Sequence, residues 1–192
     1  MSTATETLGA WEDLAGAAAL SHQRMDLDAA QLEQYWRRCS LSADFWSRYT
    51  ALFVPGDAPR GRLSQNNLAH VLSYLLNELF ENCAKFSDGP IRTVRYECVV
   101  RPDDLVFTLT NHIAPERQPG FARFVGELLS ADLEALYIQR LEESVESGAG
   151  GSGLGYLTLM KDYGIRFGFG FAPAAEGSVA VTVQAHVQLE EH

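Results

Sequence analysis

Glu78, Glu81, Asn82 and Lys85 follow one another at i, i+3, i+4 and i+7. At 3.6 residues per turn this spacing puts two carboxylates, an amide and an ammonium on one side of a helix. Val71, Leu72, Leu75, Leu76, Leu79, Phe80 and Cys83 make a broad apolar face on the other side, which predicts a helix over residues 64–86. Two readings are open. A solvated face with a Glu81–Lys85 ion pair would contribute only a few tenths of a kcal/mol. A binding or catalytic stripe is the other reading, and Asn82 favours it: Asn is a poor helix former, and a face that meets only water gains nothing from it or from Asn77.

Residues 147–155 hold five glycines, and the apolar pattern Leu157, Met160, Tyr163 follows at once. Glycines let a backbone approach an anion closely, and the N–H groups that open the next helix are free donors for a phosphate. A flexible linker is the plain alternative, weakened by the ordered apolar pattern directly behind it. Gly148, Gly150 and Gly153 match the dinucleotide fingerprint formally, but the preceding residues 141–146 are charged and helical where that motif needs a strand. There is no GxxxxGK[ST] phosphate loop. Gly151-Ser152-Gly153 is no nucleophile elbow, which also needs a strand before it. His22, His70, His112, His186 and His192 show no metal-binding spacing.

The elements that must position these residues can be read from periodicity. Helical patterns cover 28–38 and 42–53, the second with Phe45, Tyr49 and Phe53 in register, before a loop at Pro55, Gly56 and Pro59. After the long helix, alternating runs over 91–101 and 104–111 predict a hairpin. Helices follow over 121–129 and 131–145, then the glycine segment, a helix ending at Gly164, and a second hairpin over 165–171 and 178–189. Residues 1–23 have no clear period and predict a loosely held N-terminus with a short helix near 11–20. The domain division expected is a flexible stretch 1–23, a helical extension 24–60 and a nucleotide-binding unit 61–192. Helices on one face of an antiparallel or mixed sheet satisfy this order, an α+β two-layer sandwich. The aromatic residues Trp36, Phe45, Trp46, Tyr49 and Phe53 read as core, with a sheet cover or dimer surface as the alternative.

With 46% hydrophobic and 21% charged residues in 192, the composition is that of an ordinary globular chain. No run of about 20 apolar residues predicts a membrane span, and no secretion signal opens the sequence, so the expected location is cytoplasmic. Cys39, Cys83 and Cys98 fit neither a disulfide framework nor a metal site and read as reduced, mostly buried thiols. A formal charge of −10 argues against nucleic acid as a partner.

The run Asn77-Glu78-Leu79-Phe80-Glu81-Asn82-Cys83-Ala84-Lys85-Phe86-Ser87 resembles the N-box of GHKL ATPases, the superfamily of histidine kinases, gyrase and anti-sigma serine kinases. Gly151-Ser152-Gly153-Leu154-Gly155 resembles their G-box. Where that family has Asp-x-Gly-x-Gly, this chain has Leu109-Thr110-Asn111-His112-Ile113, with Asn111 in the place of the adenine-binding Asp and no glycines after it. An Asn carbonyl still accepts a hydrogen bond from an exocyclic amine; a turn residue closing the strand is the other reading of Asn111. The chain is also similar, over roughly residues 30–189, to stand-alone bacterial and cyanobacterial regulators related to the SiaB-type protein kinases. That likeness includes Tyr35-Trp36-Arg37-Arg38 and Gly153-Leu154-Gly155-Tyr156-Leu157-Thr158-Leu159.

The resemblance implies a two-layer sandwich of the Bergerat (GHKL ATPase) type with extra N-terminal helices. It implies ATP and Mg²⁺ as ligands: Asn82 on the metal, Lys85 near the phosphates, Glu78 as general base, Asn111 on adenine, and Ser152, Gly153, Leu154 and Gly155 around the phosphates. The activity implied is a serine/threonine protein kinase acting on a small partner protein in a partner-switching circuit, opposed by a phosphatase. A homodimer is a further expectation. An inactive adaptor on the same fold, or an ATP-hydrolysing conformational switch, would carry the same motifs.

Overall fold

The computed structural model describes residues 5–16, 18–34, 36–54, 65–88, 90–147 and 153–189. In chain order these form β1 (Glu6–Gly9), β2 (Ser21–Asp28), α1 (Ala29–Gln34), α2 (Trp36–Ala51), α3 (Gln65–Phe86), β3 (Thr93–Val100), β4 (Asp104–Ile113), α4 (Gln118–Ser130), α5 (Leu133–Ser147), α6 (Leu154–Tyr163), β5 (Arg166–Pro173) and β6 (Val179–Gln188). The strands make one sheet in the order β1-β5-β6-β4-β3-β2, and every pairing is antiparallel. The two-layer α+β arrangement expected from the element order holds.

Strand alternation decides which face receives the helices. Val94, Tyr96, Cys98 and Val100 of β3, Leu105, Phe107 and Leu109 of β4, Phe167, Phe169 and Phe171 of β5, and Val181, Val183, Ala185 and Val187 of β6 all join the core. Leu68, Val71, Leu72, Leu75, Leu76, Leu79 and Phe80 of α3 are buried too, because their spacing closes a single stripe on the helix. Tyr96 links the layers: its ring centroid lies 5.3 Å from that of Trp46 on α2 and 5.8 Å from Phe80 on α3. The three cysteines are unpaired and buried, as expected.

The N-terminus departs from expectation. Its described residues are tied down rather than loose, and no helix forms over 11–16 or 18–20. β1 pairs with β5 at one sheet edge, β2 pairs with β3 at the other, and residues 10–12 lie on the face opposite the helices, against Gly168, Gly170 and Gln184. The Gln184 side-chain amide imitates a strand there: Glu12 N–H donates to its Oε1 at 2.9 Å, and its Nε2 donates to Glu12 O at 2.9 Å. Arg101 Nη2 adds an ion pair to Glu12 at 2.9 Å. An Ala- and Gly-rich segment has weak local preference, so long-range partners such as these determine its path.

Within the helical extension expected over 24–60, residues 24–28 belong to β2 and residues 55–60 lie outside the described residues. α1 and α2 bury Leu32, Cys39, Ala43 and Ala51 in the common core. Trp46 and Phe53 pack against that core, whereas Phe45 and Tyr49 are exposed and stack on each other at 5.9 Å. No described helix is long and apolar enough to cross a membrane.

Candidate functional site

A cavity of about 630 Å³ opens between the C-terminal half of α3, strands β4 and β6, α4 and the start of α6. Its apolar floor comes from Leu109, Val181 and Val183, and Phe121 and Phe124 of α4 form one wall. Asn82, Asn111 and Gly153, one residue from each of the three motifs, line this single space.

Asn82 projects from α3 one turn before the helix ends, beside the buried Tyr156 hydroxyl on α6. Burial raises the Tyr156 pKa, so the phenol stays protonated. Its ring centroid sits 5.0 Å from that of Phe167, which fixes the start of α6 against the sheet. Asn111 stands on the core face of β4, opposite Val181, where the alternation of Leu109 and Ile113 calls for an apolar residue. It is 5% exposed, and its Nδ2 donates to Ser87 Oγ at 3.2 Å. The reading of Asn111 as a turn residue fails, because β4 runs on to Ile113.

Gly153 caps α6 with φ of +95°, a left-handed conformation that disfavours side chains, and a Cβ there would stand 2.7 Å from the Phe124 ring. Gly153 supplies no side-chain cap, and among the described residues the first-turn N–H groups of α6 are available to an anion. Ser152 lies outside the described residues, as do Gly148, Gly150 and Gly151. Leu154 opens α6 without lining the cavity.

Glu78 and Lys85 sit differently from the expectation. Neither lines the cavity. The Glu78 carboxylate lies against the first turn of α6, in space that only a glycine at 155 leaves open. Burial pushes its pKa up, and the nearby Glu81 charge adds to the rise. Lys85 is exposed, with its ammonium 5.2 Å from the Phe86 ring centroid. Glu81 accepts a hydrogen bond from Asn77 Nδ2 at 2.7 Å, which accounts for that second mid-helix Asn.

The cations at the cavity are instead Arg117, Arg123 and Arg140. Arg117 pairs with Asp88, while Arg140 bridges Glu127 at 2.5 Å and Glu143 at 3.1 Å. Arg123 is exposed and has no ion-pair partner among the described residues. Sequence spacing missed these three, since they come from a 3₁₀ turn and two different helices and share no local period. Cys83 also lines the space, but burial pushes its thiol up to about 12, which leaves it unreactive.

The donor set fits a magnesium nucleotide. The volume lies within the range of small-molecule sites, roughly 300–1,000 Å³. Mg²⁺ typically keeps several waters and takes one or two protein ligands plus phosphate oxygens, so one amide oxygen at Asn82 is enough from this chain. Among the described residues no group of three or more His, Cys, Asp or Glu side chains could hold a metal alone.

No family model matches the sequence, and neither does any curated protein. Among solved structures, the fold is similar to that of a chain in the crystal structure of the SiaB–SiaC complex from Pseudomonas aeruginosa, with a TM-score of 0.54 and 13% identity. The match covers 82% of this chain and 96% of that one. At that identity the likeness establishes the fold.

Proposed function

We propose that this chain binds Mg²⁺-ATP in the α3–β4–α6 cavity and phosphorylates a serine or threonine on a small partner protein, as a partner-switching regulator of the GHKL type. One observation carries the reading: Asn82, Asn111 and Gly153, separated widely in sequence, meet in a cavity lined by three arginines in a chain of net charge −10. The neighbouring fold was solved in a complex of two proteins, which supports a protein partner.

Adenine enters the apolar floor and meets Asn111. The phosphates lie toward Asn82, the α6 N-terminus and Arg123, where backbone N–H groups and a guanidinium offset their charge. When bound, Mg²⁺ adds further neutralisation of the phosphates. In transfer, the partner's hydroxyl oxygen bonds to the γ-phosphorus, the bridge to the β-phosphate breaks to release ADP, and the hydroxyl proton passes to Glu78. A carboxylate whose pKa is raised by burial is the better base near neutral pH.

A second reading has its own support. Glu78 and Lys85 both stand off the cavity lining, which favours an adaptor that binds nucleotide without transferring phosphate. Calorimetric titration of Mg²⁺-ATP into wild type and Asn82→Ala tests the binding step; labelled-phosphate transfer to co-purified proteins, with Glu78→Gln as control, tests the kinase. Binding without transfer selects the adaptor. No binding at millimolar ATP removes both nucleotide readings.

A further inference from the structure

We infer that Ser87 is a positioning residue that makes the cavity floor selective for a base with an exocyclic amine, by holding the Asn111 amide with its carbonyl oxygen toward the cavity. The inference rests on the nucleotide-binding reading above and adds to it a selectivity and the residue that sets it.

The orientation follows from counting protons. Ser87 Oγ lies 2.5 Å from the carbonyl oxygen of Cys83. That oxygen carries only lone pairs, so the hydroxyl proton must lie between the two atoms. A hydroxyl has one proton, and Ser87 therefore has only acceptor capacity left for Asn111. The Asn111 atom 3.2 Å away must be Nδ2, which leaves Oδ1 on the other side of the amide plane. With the amide reversed, two acceptors would face each other in a buried site.

The frame behind this chain of bonds is rigid. Ser87 immediately follows α3, its own N–H donates to Cys83 O at 3.1 Å, and Arg92 Nη1 donates to Ser87 O at 2.6 Å. Asn111 is held between Leu109 and Ile113 on a central strand and lines the cavity. Oδ1 has no hydrogen-bond partner among the described residues. A cavity floor that is apolar except for one oriented acceptor suits a ligand edge with one donor. An adenine amine supplies it from position 6, where a 6-oxo purine presents an oxygen and has its edge donor at N1 instead. An Asn fixed this way performs the acceptor role of a carboxylate without burying a charge.

The test is the ratio of ATP to inosine triphosphate affinities, by calorimetry with Mg²⁺ on the full chain. Wild type should prefer ATP by about ten- to a hundredfold, the usual range for leaving a buried polar group unpaired. Ser87→Ala frees the amide to turn, and the ratio should fall toward one; Ser87→Thr, which keeps the hydroxyl, should restore it. Asn111→Asp presents an oxygen either way, so adding Ser87→Ala to it should leave the ratio unchanged. Asn111→Leu fits the apolar strand face and must lose the preference, which provides a folded control if Ser87→Ala does not fold. Equal affinities in wild type, or an undiminished ratio in Ser87→Ala or Asn111→Leu, would overturn the inference while leaving nucleotide binding intact. Binding of neither nucleotide by wild type would overturn the reading on which it rests.

Discussion

Glu78 and Gly155 occupy one space: a Cβ added at Gly155 would stand 2.0 Å from Glu78 Oε2 and 2.5 Å from its Cδ. The carboxylate of α3 thus reaches the first turn of α6 only because residue 155 has no side chain. Gly155→Ala should displace Glu78 while changing stability by less than about 1 kcal/mol, since the carboxylate end is flexible and Ala favours helix. Phosphate transfer should fall strongly with ATP binding retained. A variant with normal transfer would show that Glu78 does not need its present position.

The raised pKa of Glu78 makes a pH prediction with a definite sign. The folded state holds the proton above the ordinary value of 4.5, so it binds more protons than the unfolded chain between those two pKa values. Ionised Glu78 therefore destabilises the fold as pH rises through that window. Glu78→Gln should melt at higher temperature than wild type at pH 8, and the difference should vanish below the ordinary value. Thermal melts across pH measure this directly.

Besides its place in the cavity, Asn82 stands beside the buried Tyr156 hydroxyl and is the polar influence that counters its burial. Asn82→Ala should cost about 1–3 kcal/mol by leaving that hydroxyl without its polar neighbour. Tyr156→Phe should recover stability in the Asn82→Ala background, yet not recover ATP binding. Denaturant titration of the single and double variants separates the two effects.

Arg123 is exposed and has no ion-pair partner among the described residues, so its removal should leave stability within about 0.5 kcal/mol. Loss of a charge-assisted hydrogen bond to phosphate, worth about 1.5–3 kcal/mol, should weaken ATP roughly ten- to a hundredfold. Adenosine, which has no phosphate, should bind Arg123→Ala and wild type alike. Equal ATP affinity in the two proteins would place the phosphates elsewhere.

On the opposite face, Gln184→Ala removes both bonds that hold the Glu12 backbone. The expected cost is about 1–3 kcal/mol. Amide hydrogen exchange should quicken over residues 10–16 and β1, with α3 unaffected. Uniform quickening across the chain would mean that the N-terminal segment unfolds only with the whole domain.

Much of this architecture was legible in the residue order. The repeating apolar stripe from Val71 to Cys83 could only be a core-facing helix, and the runs 91–101 and 104–111 alternate as strands of a half-buried sheet must. The pairing of an amide-bearing helix with a glycine segment also pointed to residues that do meet, since Asn82 and Gly153 share a cavity. Local pattern erred where local preference is weak. Residues 6–9 and 21–28 became strands because β5 and β3 offered unpaired edges, and nothing within those segments encodes that offer.

By itself, then, the sequence determined the periodic elements, their order and the chemistry available to the site, because those depend on neighbours a few positions apart. Tertiary structure alone decided which charged groups reach the cavity: Lys85 turns outward, while Arg117, Arg123 and Arg140 arrive from separate segments. It also decided that Ser87, one residue past a helix, holds Asn111 across 24 positions of chain. Side-chain direction and long-range hydrogen bonding arise from packing, and packing has no period to read.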